Sequence, residues 1–229
     1  FHDLFVKRHS KILTKAVKKQ SVVILGLIIA MIIVISVNDN FKSETNEILM
    51  VYLPYFVFIM YCINRSSSVT QAMFMNCDHS MLTYRIYRTP KVILGIFKER
   101  LKTLIKINLL PAVLMGGGLA LLLYLSGGTE NPLNYAILFV SIIAMSMFFS
   151  VHYLVMYYLL QPYNVSTEMK SGTYTVVQGL TYIVCWYMIQ IRVPIFSFGI
   201  ATIVFCIAYC LISLFLVYKY APKTFKLRV

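Results

Sequence analysis

This sequence predicts an all-α fold threaded through a lipid bilayer, and three observations carry the prediction. The 229 residues are 59% hydrophobic and only 13% charged, where an ordinary soluble domain carries about 25% charge. Apolar runs of roughly 16 to 28 residues alternate with short polar breaks, the length that a helix needs to cross hydrocarbon. Once those runs are laid out as six spans, 19 of the 21 Lys and Arg fall on one side. That is the positive-inside pattern, and it puts both termini in the cytoplasm of a cell bounded by a plasma membrane. The net charge of +13 then serves orientation. Nucleic acid, the partner such basicity suggests in a soluble protein, is excluded.

The chain reads as one membrane domain over 20–220, an amphipathic helix over 1–19 before it, and a basic tail over 221–229. In 1–19, Phe1, Leu4, Phe5, Ile12 and Leu13 share a face opposite Lys7, Lys11, Lys15 and Lys18. Such a helix lies flat on an anionic membrane surface. The chain opens on Phe1 rather than Met, so residues upstream are expected, and no cleavable leader pattern follows.

Span 1 covers 21–37 and stops at Asn38-Asp39-Asn40. Span 2 covers 48–63 with Pro54 inside it, tolerable where neighbouring helices satisfy the freed carbonyl. Span 3 covers 104–125 and is expected to kink or break near Pro111. Its Gly116-Gly117-Gly118 run suits close helix packing. A turn over 126–132 leads to span 4 (133–160). Span 5 (175–191), the turn Arg192-Val193-Pro194 and span 6 (195–218) complete the bundle. Five cysteines form no CxxC pair, so reduced thiols are expected.

The segment over 64–103, between spans 2 and 3, holds most of the chemistry. Pro90 starts a helix in the position where proline loses no needed hydrogen bond, with Thr89 able to cap it. Val92, Ile93, Ile96, Phe97, Leu101 and Leu104 follow at helical spacing, and Lys91, Lys98, Lys102 and Lys106 take another face. Ahead of it, Asp78 is placed to cap a short helix reaching Tyr87. That helix would present Met81, Leu82, Tyr84, Arg85 and Arg88 as an exposed knob, able to fit a groove on a cytosolic partner and pass its movement to spans 2 and 3. An ordinary interfacial loop is the alternative. Cys77, His79 and Ser80 are too close in sequence to face one another on a helix, so neither a catalytic pair nor a metal site is expected here.

No Asp or Glu falls inside any span, which counts against ion-driven carriage. His152 and Gln178 stand at similar depth in spans 4 and 5, as a hydrogen-bonded packing pair or as part of a cargo path. Tyr182 and Trp186 would extend such a path. Tyr153, Tyr157, Tyr158 and Tyr163 are expected as an interfacial belt. There is no GxxxxGK[ST] loop for a nucleotide, and no GxSxG or HExxH pattern.

An N-terminal interfacial helix, six spans with both ends inside and a basic helical segment between spans 2 and 3 together resemble the permease subunits of ABC-2-type ABC exporters. Asn76-Cys77-Asp78-His79-Ser80-Met81-Leu82, followed by Tyr84, Tyr87 and Arg88, is similar to the segment after span 2 in small Gram-positive permeases, including those of phenol-soluble modulin exporters. The resemblance implies two copies of this chain paired with two ABC ATPase subunits. It makes residues 71–90 the coupling helix and its flanks, with hydrophobic or amphipathic peptides as cargo. No cofactor belongs to this chain, and ATP and Mg sit on the partner. The chain departs from the family in having only Arg192-Val193-Pro194 where a re-entrant element often lies between spans 5 and 6. Two other readings are a non-transporting scaffold or immunity protein and the substrate-binding membrane subunit of a vitamin importer.

Overall fold

The computed structural model describes residues 2–84, 89–164 and 171–226. Among these there is no strand, and the helices run in the order α1 (His2–Val37), α2 (Asp39–Val51), α3 (Tyr55–Ile63), α4 (Ser66–Met73), α5 (His79–Met81), α6 (Pro90–Leu125), α7 (Leu133–Leu160), α8 (Gly172–Met188) and α9 (Ile195–Thr224). A π-helical turn, Phe74–Asp78, joins α4 to α5.

Four of these helices are long and apolar enough to cross a membrane: α1 over Lys15–Val37, α6, α7 and α9. The chain is a membrane protein by that measure. Helix α7 is apolar all round and most of it is buried, as befits the central member of a bundle. It packs against α6 on one side and α9 on the other, while α1 lies along α6.

The remaining expected spans are shorter pieces. The apolar run over 48–63 is divided at Tyr52–Pro54 into α2 and α3, because proline has no N–H to give and its ring crowds the preceding turn. The carbonyl of Val51, at that break, accepts the N–H of Val193 at 3.0 Å. Arg192 lies over the Tyr52 ring at 5.1 Å. The turn between α8 and α9 thus docks on the break, with no further helix between Met188 and Ile195. Helix α8 has 17 residues, roughly 26 Å at 1.5 Å per residue, against about 30 Å of hydrocarbon.

Other expectations shift too. No boundary separates residues 1–19 from the first span, since α1 is unbroken from His2 to Val37. The side chains of 1–14, on which the amphipathic stripe depends, lie outside the described residues. Helix α6 does not break at Pro111. Its 36 residues make it roughly 54 Å long, so it extends well past any hydrocarbon layer. Lys91, Lys98, Lys102 and Lys106 are exposed along it, while Ile93, Phe97, Arg100 and Leu104 form its buried side. At the start of the basic tail, α9 continues to Thr224, and Phe225 stacks on Tyr158 at 4.3 Å.

The glycine run does bring helices together. A Cβ at Gly118 would overlap the Ile28 side chain of α1, and one at Gly116 would come within 3.1 Å of the Phe139 ring on α7, whereas Gly117 faces open space. Lower in the bundle a polar knot does the same work. Asn108 of α6 accepts the Arg65 N–H at 3.1 Å and donates to the hydroxyls of Ser66 and Ser150, each at 3.0 Å. The opening of the chain between α3 and α4 is thereby satisfied where water is scarce.

Candidate functional site

The basic end of the bundle carries the segment singled out from sequence, and a buried ion pair organises it. Asp78 closes the π-helical turn, and Arg100 sits three turns into α6. Arg100 Nη1 donates to Asp78 Oδ2 at 2.6 Å, and Nη2 donates to Asp78 Oδ1. Tyr157 of α7 donates its hydroxyl to Asp78 Oδ2. Arg100 Nη1 also donates to Tyr158 Oη at 3.0 Å. Asp78 is 1% exposed and Arg100 4%. A two-toothed guanidinium–carboxylate grip with an added phenol leaves the carboxylate well supplied with donors. It joins the α4–α5 segment to both α6 and α7.

This corrects the expected role of Asp78. It caps no helix, because α5 is only three residues long and receives no side-chain cap. The local reason is the π-helical turn, whose extra residue per turn rotates Asp78 from the surface towards α6. Thr89 has the extended backbone of a capping residue, yet its side chain makes no cap to α6.

The rest of the motif divides into two faces. Phe74 and Leu82 are buried, Cys77 packs half-buried against the same core, and Met81 and His79 are half-buried. Phe74 stacks on Tyr163 at 4.7 Å, and the His79 ring meets Phe74 edge-on at 5.9 Å. Asn76 and Ser80 are exposed, their side chains turned back onto the carbonyls of Ala72 and Cys77. Tyr84 is 64% exposed. Met75 and Thr83 complete this outer face, and neither was singled out from sequence. Arg85, Tyr87 and Arg88 lie outside the described residues. The exposed knob is therefore a two-sided wedge, bound to the bundle on one side and open on the other.

Burial and the nearby Asp78 carboxylate push the Cys77 thiol above its ordinary range. Burial also raises the Tyr163 phenol, with Tyr174 adding to it. Neither group is primed for chemistry at neutral pH.

The expected tyrosine belt is not a belt. Tyr153, Tyr157, Tyr158 and Tyr163 are all buried. Three of them crowd the ion pair and its aromatic surround, where a phenol meets both an apolar body and a polar tip. Tyr157 was read from sequence only as part of the belt, and Arg100 was missed, although one signal was present. Ile93, Phe97, Arg100 and Leu104 share an apolar helix face, and an arginine on such a face needs a buried acid.

At mid-depth, His152 and Gln178 do not form the expected packing pair. His152 pairs with Thr181 Oγ1 at 3.0 Å and with Tyr209 Oη at 2.8 Å, so its partner on α8 is Thr181 and not Gln178. Tyr182 and Trp186 stack on each other and meet Phe58 of α3 at 6.1 and 5.7 Å. Only His152 of the four borders the cavity at this depth. That cavity holds about 450 Å³ and is lined by single faces of α7, α8 and α9, with Val57 from α3. Its walls include Val177, Leu180, Val184 and Met188 from α8 and Phe198, Ala201 and Phe205 from α9.

The structure thus defines a helical membrane protein with a clamped wedge at its basic end and an apolar cavity at mid-depth. No family model, no curated protein and no solved structure matches the chain.

Proposed function

We infer that this chain is the permease subunit of an ATP-driven exporter in the plasma membrane, with both termini cytoplasmic and a separate ABC ATPase supplying the energy. In this reading α2 with α3, and α8, act as two short spans beside the four long ones. Two copies of the chain pair with two ATPase subunits. The cargo is hydrophobic or amphipathic, with peptides of the phenol-soluble modulin kind fitting the resemblance best. ATP-driven closure of the motors pushes the wedge over 66–84 and re-angles the helices behind it.

One observation supports this most directly. The wedge carries an open face of Met75, Asn76, Ser80, Thr83 and Tyr84, and its other face is held to α6 and α7 through Asp78, Arg100 and Tyr157. A push on the open face reaches two long helices through a grip with little slack, as coupling between subunits requires.

The test is co-purification with an ATPase, followed by Tyr84→Ala and Ser80→Arg on the open face. Both variants should keep the thermal stability of the parent yet lose ATPase association and peptide export. Recovery of an active chain that never binds an ATPase would overturn the reading. So would full export by both variants.

A further inference from the structure

The cavity at mid-depth lies between α8 and α9, with α7 behind it. Phe58 and Tyr61 of α3 hold α8 through Tyr182 and Trp186. The His152–Thr181 contact ties it to α7 near its middle. What remains between α8 and α9 is a slot rather than a sphere. Its wall on α8 runs from Val177 to Met188, eleven steps and roughly 17 Å. The cavity of about 450 Å³ is spread along that length.

Those dimensions choose among occupants. A hydrocarbon chain, whose atoms stand about 4 Å from their neighbours, fits lengthwise in such a slot. An α-helical peptide, about 10–12 Å across with its side chains, is too wide for it. The length is about half of a 30 Å hydrocarbon layer, the depth of one leaflet.

The lining chooses in the same direction. Both ring nitrogens of His152 are engaged by Thr181 and Tyr209. The hydroxyls of Thr181 and Thr202 donate to the carbonyls of Val177 and Phe198. A polar head placed inside would lose water and gain no partner, a cost that bare hydrocarbon avoids. Leu180, Val184 and Phe205 are exposed at the rim, so in a bilayer the slot faces acyl chains.

We propose that the slot between α8 and α9 binds one aliphatic chain, from a membrane lipid or a free long-chain amphiphile, with the polar head left outside. This stands apart from the export reading, since it holds whether or not the chain is moved.

Photolabelling of the purified full-length protein in phosphatidylcholine nanodiscs tests it. Two probes carry the same mid-chain diazirine, one as a free C16 fatty acid and one within phosphatidylcholine. Adducts should concentrate on Leu180, Val184, Ala201 and Phe205. Ala201→Phe should cut their yield about tenfold by filling the slot, while Leu211→Phe on the exposed flank leaves it unchanged. Thr202→Met is the second filling variant, should the first not fold. Labelling by both probes supports a bilayer lipid as the source, and labelling by the fatty acid alone supports a free amphiphile. Adducts spread evenly over Val204 and Leu211, indifferent to both filling variants, would overturn the proposal. Capture of a helical amphipathic peptide at the slot positions would do the same.

Discussion

Arg100 and Asp78, 22 residues apart in sequence and on different helices, hold each other through two parallel hydrogen bonds in a pocket that excludes water. Such a pair stabilises only while both members are present, because a lone buried charge is far costlier than a matched one. Asp78→Ala should therefore lower stability by about 3–5 kcal/mol, read as thermal unfolding in detergent. The double variant Asp78→Leu with Arg100→Met should recover most of that loss. If the double variant is no better than the single, the pair is not an isolated electrostatic unit.

Asn108 serves three neighbours at once, and its removal leaves the Arg65 N–H and two serine hydroxyls short of a partner. Asn108→Leu should cost about 1–3 kcal/mol, with hydrogen exchange at Arg65 and Ser66 rising before other amides in the bundle. Uniform exchange across all the helices would show that the knot is not local.

The three consecutive glycines on α6 should not behave alike. Gly118→Leu forces α1 off α6 at Ile28, whereas Gly117→Ala meets open space and should stabilise the helix slightly. A cysteine pair placed across α1 and α6 should lose its crosslinking efficiency in the first variant and retain it in the second. Equal loss in both would mean that Ile28 does not set the approach.

Cys77 offers a probe of the wedge that depends on pH. Its thiol is held above the ordinary range first by burial and then by the Asp78 carboxylate. The reactive thiolate is correspondingly scarce at neutral pH and appears only as pH rises through that raised value. A water-soluble maleimide should label Cys77 more slowly than a free cysteine at pH 7, with the rate climbing only at higher pH than for a free thiol. Asp78→Asn should shift that climb to lower pH. Rapid labelling at pH 7 in the unsubstituted protein would show a wedge detached from the core.

How far the site was legible can be judged from single positions. The lysines at 91, 98, 102 and 106 follow the helix period, so their exposure on α6 was readable from spacing alone. Asp78 was readable as important but not as buried, because a π-helical turn leaves no mark in the spacing of side chains. Gln178 and Thr181 differ by less than one turn, and only the packing of α8 on α3 selects Thr181 to meet His152.

The helical class, the long apolar elements and the bias of basic charge towards one end came from the sequence alone. These follow from composition and period, which depend on nothing beyond nearest turns of the chain. The splitting of the 48–63 run between α2 and α3, the burial of Tyr157 and Tyr158, and the slot beside α8 were decided by tertiary structure. Pro54 supplies the local cause of the break, but what fills it, and the other two features, depend on distant partners: Val193 for Val51, Asp78 for Tyr157 and Phe58 for Trp186. Contacts of that kind form only where helices cross, and no local pattern specifies which side chains meet there.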